Sequence, residues 1–589
     1  MRLKLWAPCA EKVEVAVQGT RLPMDRVQDG KWESVSPLYL HGADYCIVLD
    51  REFPIPDPRS AWQPKGVNGP SRILDHGRFR WTDDGWQAPP LSSAVVYELH
   101  VGTFSPEGTF EGAARFLDHL KDLGVTHVEL MPVNGFSGTR GWGYDGVNLF
   151  APHQAYGGPE GLKTLVDACH GKGLAVILDV VYNHLGPEGN YLERFGPYLT
   201  DRHPSPWGKS VNFDGPQSDE VRRFFCDNAL MWLRHYHFDG LRVDAVHAIV
   251  DTSAVHILEQ LSSEVKALGS ELGRHLVLIA ESALNDPRVV RPREIGGYGV
   301  DAQWSDDFHH ALHVALTGER NGYYVDFQGL CDVAKALTRA FVYDGRYSEF
   351  RGRSHGRPVE GLSGHRFLAF LQNHDQVGNR AQGERLGHMV STGLLKTAAA
   401  LMIFSPFVPM LFQGEEWGAA TPFQYFTDHQ DTDLGKAVSE GRKREFAGFG
   451  WDAAQIPDPQ TESTFKRSVL RWGEKVSEPH KGILHWYRDC IRLRKSIPSL
   501  LDGRMDRVRV SYDEKRRWLA MERGSVTVAC NFSRDPQWVP LQCARTLRII
   551  LRSEEDGEKV DGRFGGVSLP SESVAVLESA PQWENAPLV

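Results

Sequence analysis

Between about residues 91 and 500, eight short apolar stretches recur with amphipathic segments between them, and almost all close on an acid, His, Asn or Gln. In order they are Val95-Val-Tyr-Glu-Leu-His100, Thr126-His-Val-Glu-Leu-Met-Pro132, Leu174 to Val181, Phe238-Asp-Gly-Leu-Arg-Val-Asp244, Leu276-Val-Leu-Ile-Ala-Glu281, Val300-Asp-Ala-Gln-Trp304, Arg366 to Leu371 and Val408-Pro-Met-Leu-Phe412. Strands alternating with helical patterns at this spacing predict a (β/α)8 barrel with long loop insertions. A doubly wound sheet is the main alternative, but no phosphate-binding glycine loop follows the first strand. The polar residues favour the barrel: His100, Asn183-His184, Asp244, Glu281, Asp306-Asp307, His374-Asp375, Gln413 and Glu415-Glu416 would meet at one mouth.

The flanks read differently. Residues 1–90 alternate apolar and polar positions (Leu3 and Leu5; Val13, Val15 and Val17) and predict an N-terminal β-sandwich. Residues 91–502 are expected to form the barrel, closed by a helix over Ile483 to Lys495, and a helical pattern also covers Ala113 to Leu123. Residues 503–589 return to strand alternation in Trp518-Leu-Ala-Met521 and Val526-Thr-Val-Ala-Cys-Asn-Phe532, predicting a C-terminal antiparallel β domain. A chain of 589 residues suits such a two- or three-domain plan.

The net charge of -10 is small for the length and gives no footprint for nucleic acid. The longest apolar run, Ala398 to Phe412, is too short to span a bilayer and contains Pro406 and Pro409. Charges near the N-terminus fall where a signal peptide needs an apolar stretch, and the eight Cys show no paired spacing. These features lead us to expect a cytoplasmic protein with reduced thiols. Its 16 Trp, whose faces stack on sugar rings, hint at carbohydrate.

Two strand ends carry the chemistry of a glycosidase. Glycosidic hydrolysis takes one carboxyl group to attack or to assist water and another to protonate the leaving oxygen. Asp244 ends the fourth strand and Glu281 the fifth. Neighbouring strands lie about 4.8 Å apart, so the two carboxyls meet at about 5 Å, the retaining separation, rather than the roughly 6.5–9.5 Å of an inverting pair. Arg242, two residues before Asp244, points the same way and would hold that carboxylate ionised. Glu281 follows an apolar run, where partial desolvation raises a carboxyl toward the range of a general acid.

Asp179-Val-Val-Tyr-Asn-His184, Gly240-Leu-Arg-Val-Asp244, Ala280-Glu281 and Gln372-Asn-His-Asp375 resemble the four strand-end blocks of the α-amylase family, in that family's order. The resemblance spans most of residues 91–420. It implies a retaining mechanism with Asp244 as nucleophile, Glu281 as acid/base and Asp375 gripping two hydroxyls of the −1 sugar. It also implies that His184, Arg242 and His374 line the −1 subsite, that Tyr144 stacks on the −1 glucose, and that Asp179 has a structural role. The chain departs from many family members after the nucleophile, with His247-Ala248 in place of Lys-His, which points to an unusual leaving group and makes His247 a candidate contact. Leu5-Trp-Ala-Pro8, with the β-pattern of residues 1–90, resembles the N-terminal sandwich of branching, debranching and trehalose-releasing members, while Gly141 to Pro152, Asp306 to His313, Gln372 to Gly378, Gln413 to Gly418 and Tyr425 to His429 are most similar to the trehalose-releasing branch. That similarity implies a maltooligosyltrehalose substrate, trehalose and maltooligosaccharide as products, a maltooligosyltrehalose synthase as pathway partner, and no cofactor.

Glu415, Glu416 and Trp417, after the eighth strand, are candidate ligands of the trehalose hydroxyls. The loop from Gly186 to Gly215 is expected to shape the substrate site. His309, His310 and His313 beside Asp306 and Asp307 have helix-compatible metal spacing, and Asn183 matches a calcium position of some relatives. Without a third ligand set, the expectation is no metal. The other functions considered are glycogen branching, debranching, and glucan binding by a barrel without catalysis.

Overall fold

Eight parallel strands close into a barrel in simple sequence order: β1 (Val96–Leu99), β2 (His127–Leu130), β3 (Ala175–Val180), β4 (Gly240–Val243), β5 (Val277–Ala280), β6 (Ala302–Trp304), β7 (Phe367–Ala369) and β8 (Val408–Phe412), with β8 pairing back onto β1. Each expected strand is present. All four residues of β1, β2, β4 and β5 are buried, because helices cover the outside while side chains fill the inside. The structure is a computed structural model and describes residues 2–35, 41–205, 207–447, 456–541, 547–554 and 565–579.

The lower half of the barrel is an apolar plug of Val96, Ile177, Val277, Ile279, Ala302, Leu368, Phe370, Val408 and Met410. Above it the inward residues turn polar: Glu98 on β1, Glu129 on β2, Asp179 on β3 and Arg242 on β4. A dry floor beneath a charged layer confines the chemistry to the mouth.

The outer helices follow simple rules. Helix Ser218–His235 opens on Asp219 and Glu220 and ends on Arg234 and His235, each charge facing the favourable end of the helix dipole. Where one helical stretch was expected over Ala113 to Leu123, two occur, Phe110–Ala114 and Leu117–Leu123. The break falls at Phe116, whose ring stacks on Trp472 at 3.9 Å.

The N-terminal strands form a six-stranded antiparallel array. Its long strand Thr20–Arg26 pairs with Val13–Val17 through its first half and with Lys31–Ser34 through its second. Lys31–Glu220 and Arg59–Asp227 ion pairs fasten the N-terminal segment to the helix Ser218–His235. At the other end, a five-stranded sheet of strands between Val508–Asp513 and Ser573–Ser579 sits against helices Leu330–Arg339 and Thr392–Ile403. Buried Arg523 donates from there to the Phe404 and Ser405 carbonyls. Residues 580–589 of the expected C-terminal domain, and Cys543, lie outside the described residues. No helix among the described residues is long and apolar enough to cross a membrane.

Candidate active site

Strand register places the two principal carboxyls side by side. Val243 is the partner of Ala280, so Asp244 and Glu281 leave adjacent strands at the same height. The Arg242 guanidinium, wholly buried, links them: Nη1 donates to Asp244 Oδ1 at 2.8 Å and Nη2 to Glu281 Oε2 at 2.9 Å. Nη1 also reaches Asp179 Oδ2 at 2.6 Å, and the guanidinium lies over the Trp304 ring at 4.0 Å, which blocks other orientations. Asn183 donates to Asp244 Oδ2 at 2.7 Å, and the Ala245 amide donates to Glu281 Oε2 at 2.7 Å.

These surroundings push the two acids apart. Burial raises both, but at Asp244 the charges of Arg242 and His184 and the Asn183 hydrogen bond win, and the carboxyl stays below its ordinary range. At Glu281 burial dominates; Arg242 opposes it, while the negative charges of Asp244, Asp375 and Asp306 reinforce it, so this acid lies well above its ordinary range. The surroundings favour the ionised form of Asp244 and the protonated form of Glu281, which is the division of labour that nucleophile and proton donor require.

Asp375 opens the short helix His374–Gly378 after β7. Side-chain exposure rises from 10% at Asp244 and 15% at Glu281 to 38% at Asp375, so the third acid faces the open mouth. Glu98 Oε1 lies 2.5 Å from His374 Nδ1. Burial disfavours the His374 cation, but Asp375 and Glu98 overcome this and lift the ring to about 9. Tyr144 stacks on His374 at 5.0 Å and donates its hydroxyl to Asp179 Oδ2 at 2.7 Å. Gly143 permits that placement: its φ is +99°, and a Cβ there would sit 2.2 Å from the Pro132 carbonyl oxygen. His184 contacts Asn183 through Nδ1 and the Tyr144 carbonyl through Nε2 at 3.1 Å. His247 accepts from the Ala283 amide at 3.3 Å through Nδ1, and burial keeps its ring below its ordinary range.

Glu415, Glu416 and Trp417 are not at the mouth, which corrects their assignment as trehalose ligands. After β8, Gly414 takes a left-handed φ of 81° and turns the chain outward beneath the helix His480–Ser496. Glu415 accepts from Tyr487 at 3.0 Å, Glu416 meets His119 at 2.8 Å and Tyr97 at 3.1 Å, and the Trp417 carbonyl meets His480 at 2.9 Å. All three residues are at most 1% exposed and fasten the outer layer to the barrel.

The histidine cluster is likewise committed to packing. His309 meets the Leu371 carbonyl at 2.7 Å and the Tyr324 hydroxyl at 3.1 Å, His313 meets Glu319 at 2.7 Å, and His310 stacks on Tyr323 at 4.4 Å. Asn183, the position compared with a calcium ligand, is engaged by Asp244.

Sequence alone puts Asp306 at the mouth without a role and does not single out Phe350, Arg351 or Trp207. Asp306, partly buried at the start of the helix Asp306–Thr317, is pushed up to about 7 by burial, with Asp307 and Asp375 adding to the shift. A hairpin of Asp344–Ser348 and Arg353–Gly356 carries half-exposed Phe350 and partly buried Arg351 at its tip, and Arg351 acts electrostatically on His247 and Asp306. Within the 186–215 loop, half-exposed Trp207 stacks on His184 at 4.6 Å with an 8° interplanar angle. The local sequence of the hairpin is polar and gives no periodic signal; only its length, as an insertion before β7, marks it.

Residues 75–203 match the family described as alpha amylase, catalytic domain, and residues 503–576 match a domain of unknown function. The chain is 49% identical to a malto-oligosyltrehalose trehalohydrolase of Rhizobium sp. (strain M-11), covering 98% of this chain and 97% of that one. It is 52% identical to the same-named protein of Arthrobacter ramosus, covering 92% and 94%. Among solved structures, a putative alpha amylase from Salmonella typhimurium superposes with a TM-score of 0.90 at 38% identity, covering 98% and 97%.

Proposed function

The chain belongs to the malto-oligosyltrehalose trehalohydrolases of the alpha-amylase family, and from this premise we propose that Asp244, Glu281 and Asp375 are its catalytic acids. It is a glycoside hydrolase that cleaves the α-1,4 bond between a maltooligosyl chain and a terminal trehalose. Asp244 attacks the anomeric carbon of the −1 glucose while Glu281 gives its proton to the bridging oxygen, and trehalose leaves. A covalent ester remains between Asp244 and the −1 glucose at the end of the maltooligosyl chain. Glu281, now ionised, takes a proton from water; that water opens the ester and leaves the maltooligosaccharide in its original α configuration. Asp375 holds hydroxyls of the −1 ring as it flattens, His184 and His374 line its edge, and Tyr144 supplies an apolar face. His247, with Phe350 and Arg351, stands on the leaving-group side.

The observation that carries this reading is the Arg242 guanidinium, which holds Asp244 on Nη1 and Glu281 on Nη2, the first acid kept below its ordinary range and the second well above it. The three-part layout read from the sequence, 1–90, 91–502 and 503–589, is our proposed domain division. A maltooligosyltrehalose synthase is the expected supplier of substrate. Seven free cysteines among the described residues, four of them buried, favour a reducing, cytoplasmic setting.

Incubation with maltooligosyltrehalose should release free trehalose and a maltooligosaccharide, and incubation with amylose should leave the α-1,6 branch content unchanged. Chromatography of both mixtures tests this. New branches from amylose without trehalose release would replace the proposal with a branching activity.

A further inference from the structure

Beneath the catalytic acids lies a carboxyl group that the mechanism does not use. Val128 and Leu130 belong to the apolar layer between barrel and helices, so the pleat turns Glu129 toward the barrel axis, where it is 1% exposed. Neither of its side-chain oxygens has a hydrogen-bond partner. On β1, Glu98 is its in-register neighbour; on β3, Asp179 lies two residues beyond its register partner Ile177; Arg242 and His374 act on it from β4 and from the segment after β7.

The partners of these groups are already allotted. Glu98 receives both the ring and the backbone amide of His374. Asp179 Oδ2 takes Arg242 Nη1 and the Tyr144 hydroxyl, while its Oδ1 is buried without a partner. Two cations, Arg242 and His374, stand against Glu98, Asp179 and Asp244. A further buried carboxylate beside Glu98, with no donor of its own, would be an unpaired charge in the interior, which proteins avoid by taking up a proton. Burial and the charge of Glu98 act in that direction and place Glu129 well above its ordinary range.

We propose that Glu129 is a positioning residue, held as a neutral carboxylic acid whose hydroxyl serves the free Oδ1 of Asp179 and so fixes Asp179 as the acceptor for Tyr144 and Arg242. This rests on the roles given above to Tyr144 and Arg242. Glu129 touches no substrate; it acts through Asp179 on the stacking ring and on the guanidinium that separates the two catalytic acids.

Two variants of the full-length enzyme test it. Glu129→Gln keeps shape and a donor but cannot ionise. It should hold kcat and KM within about threefold, leave both limbs of the pH profile in place, and remove from the infrared spectrum the C=O band of a protonated carboxylic acid. Glu129→Leu keeps the volume without a donor and should lower kcat about 10- to 100-fold by stranding a buried acceptor, while still melting cooperatively. Equal damage in both variants, a displaced pH limb in Glu129→Gln, an unchanged infrared band, or full activity in Glu129→Leu would overturn the proposal. The infrared result does not depend on turnover, so it stands or falls separately from the assignment of Asp244 and Glu281.

Discussion

Asp244→Asn should leave a folded protein whose trehalose release has fallen roughly 10⁴-fold or more, because loss of the nucleophile closes the covalent route. The substitution keeps the side chain's shape beside Asn183 and Arg242, so the melting temperature should change little compared with the loss of rate. It also removes one of the negative charges that hold Glu281 up. Whatever activity remains should therefore lose its alkaline limb at lower pH than the parent enzyme. Rates across pH, with a thermal melt, check both effects, and an unchanged rate would remove Asp244 from its role.

Glu281→Gln should lower kcat on maltooligosyltrehalose by about 10²–10⁴-fold, the range of a general acid or base. The loss should be unequal between substrates. A glucosyl fluoride, whose leaving group needs little protonation, should still glucosylate Asp244. Without a base to activate water, the ester should then accumulate and appear as added mass on the peptide bearing Asp244. In the parent enzyme the working form has Asp244 ionised and Glu281 protonated. Rate falls on the acid side as Asp244, held below its ordinary range, takes up a proton, and on the alkaline side as Glu281, held well above its own, loses one. The two limbs belong to the coupled pair. Gln cannot ionise, so in this variant the alkaline limb should disappear. Equal losses on fluoride and natural substrate would argue against Glu281 as the proton donor.

The barrel was legible because its eight strands are short, apolar and bounded by polar ends, and because parallel strands buried on both faces leave continuous hydrophobic runs. Arg242, Asp244 and Glu281 were legible for a related reason: strand pleat and strand adjacency are local rules that carry directly into three dimensions. The same reasoning failed at Glu415, Glu416 and Trp417. They follow a strand just as Asp244 does, but Gly414 reverses the chain's direction immediately after β8, and what a left-handed turn does to the next side chains depends on the helix packed outside. Trp207 and Phe350 were missed as individual residues because their positions come from long-range contacts, Trp207 on His184 and Phe350 against Tyr323. Glu129 looked like any strand residue; only its burial and the negative charges of Glu98 and Asp179 beside it, set by the closed barrel, push its carboxyl above the ordinary range.

The stereochemistry of the first product addresses the central claim, that Asp244 and Glu281 act together across one anomeric carbon. Proton NMR of maltooligosyltrehalose hydrolysis, recorded before mutarotation, reads the anomeric configuration of the new reducing end. Two displacements through Asp244 predict that the α anomer appears first and the β anomer grows in only at the rate of mutarotation. Initial β anomer would mean a single displacement by water, with the two carboxyls too far apart for the chemistry assigned to them.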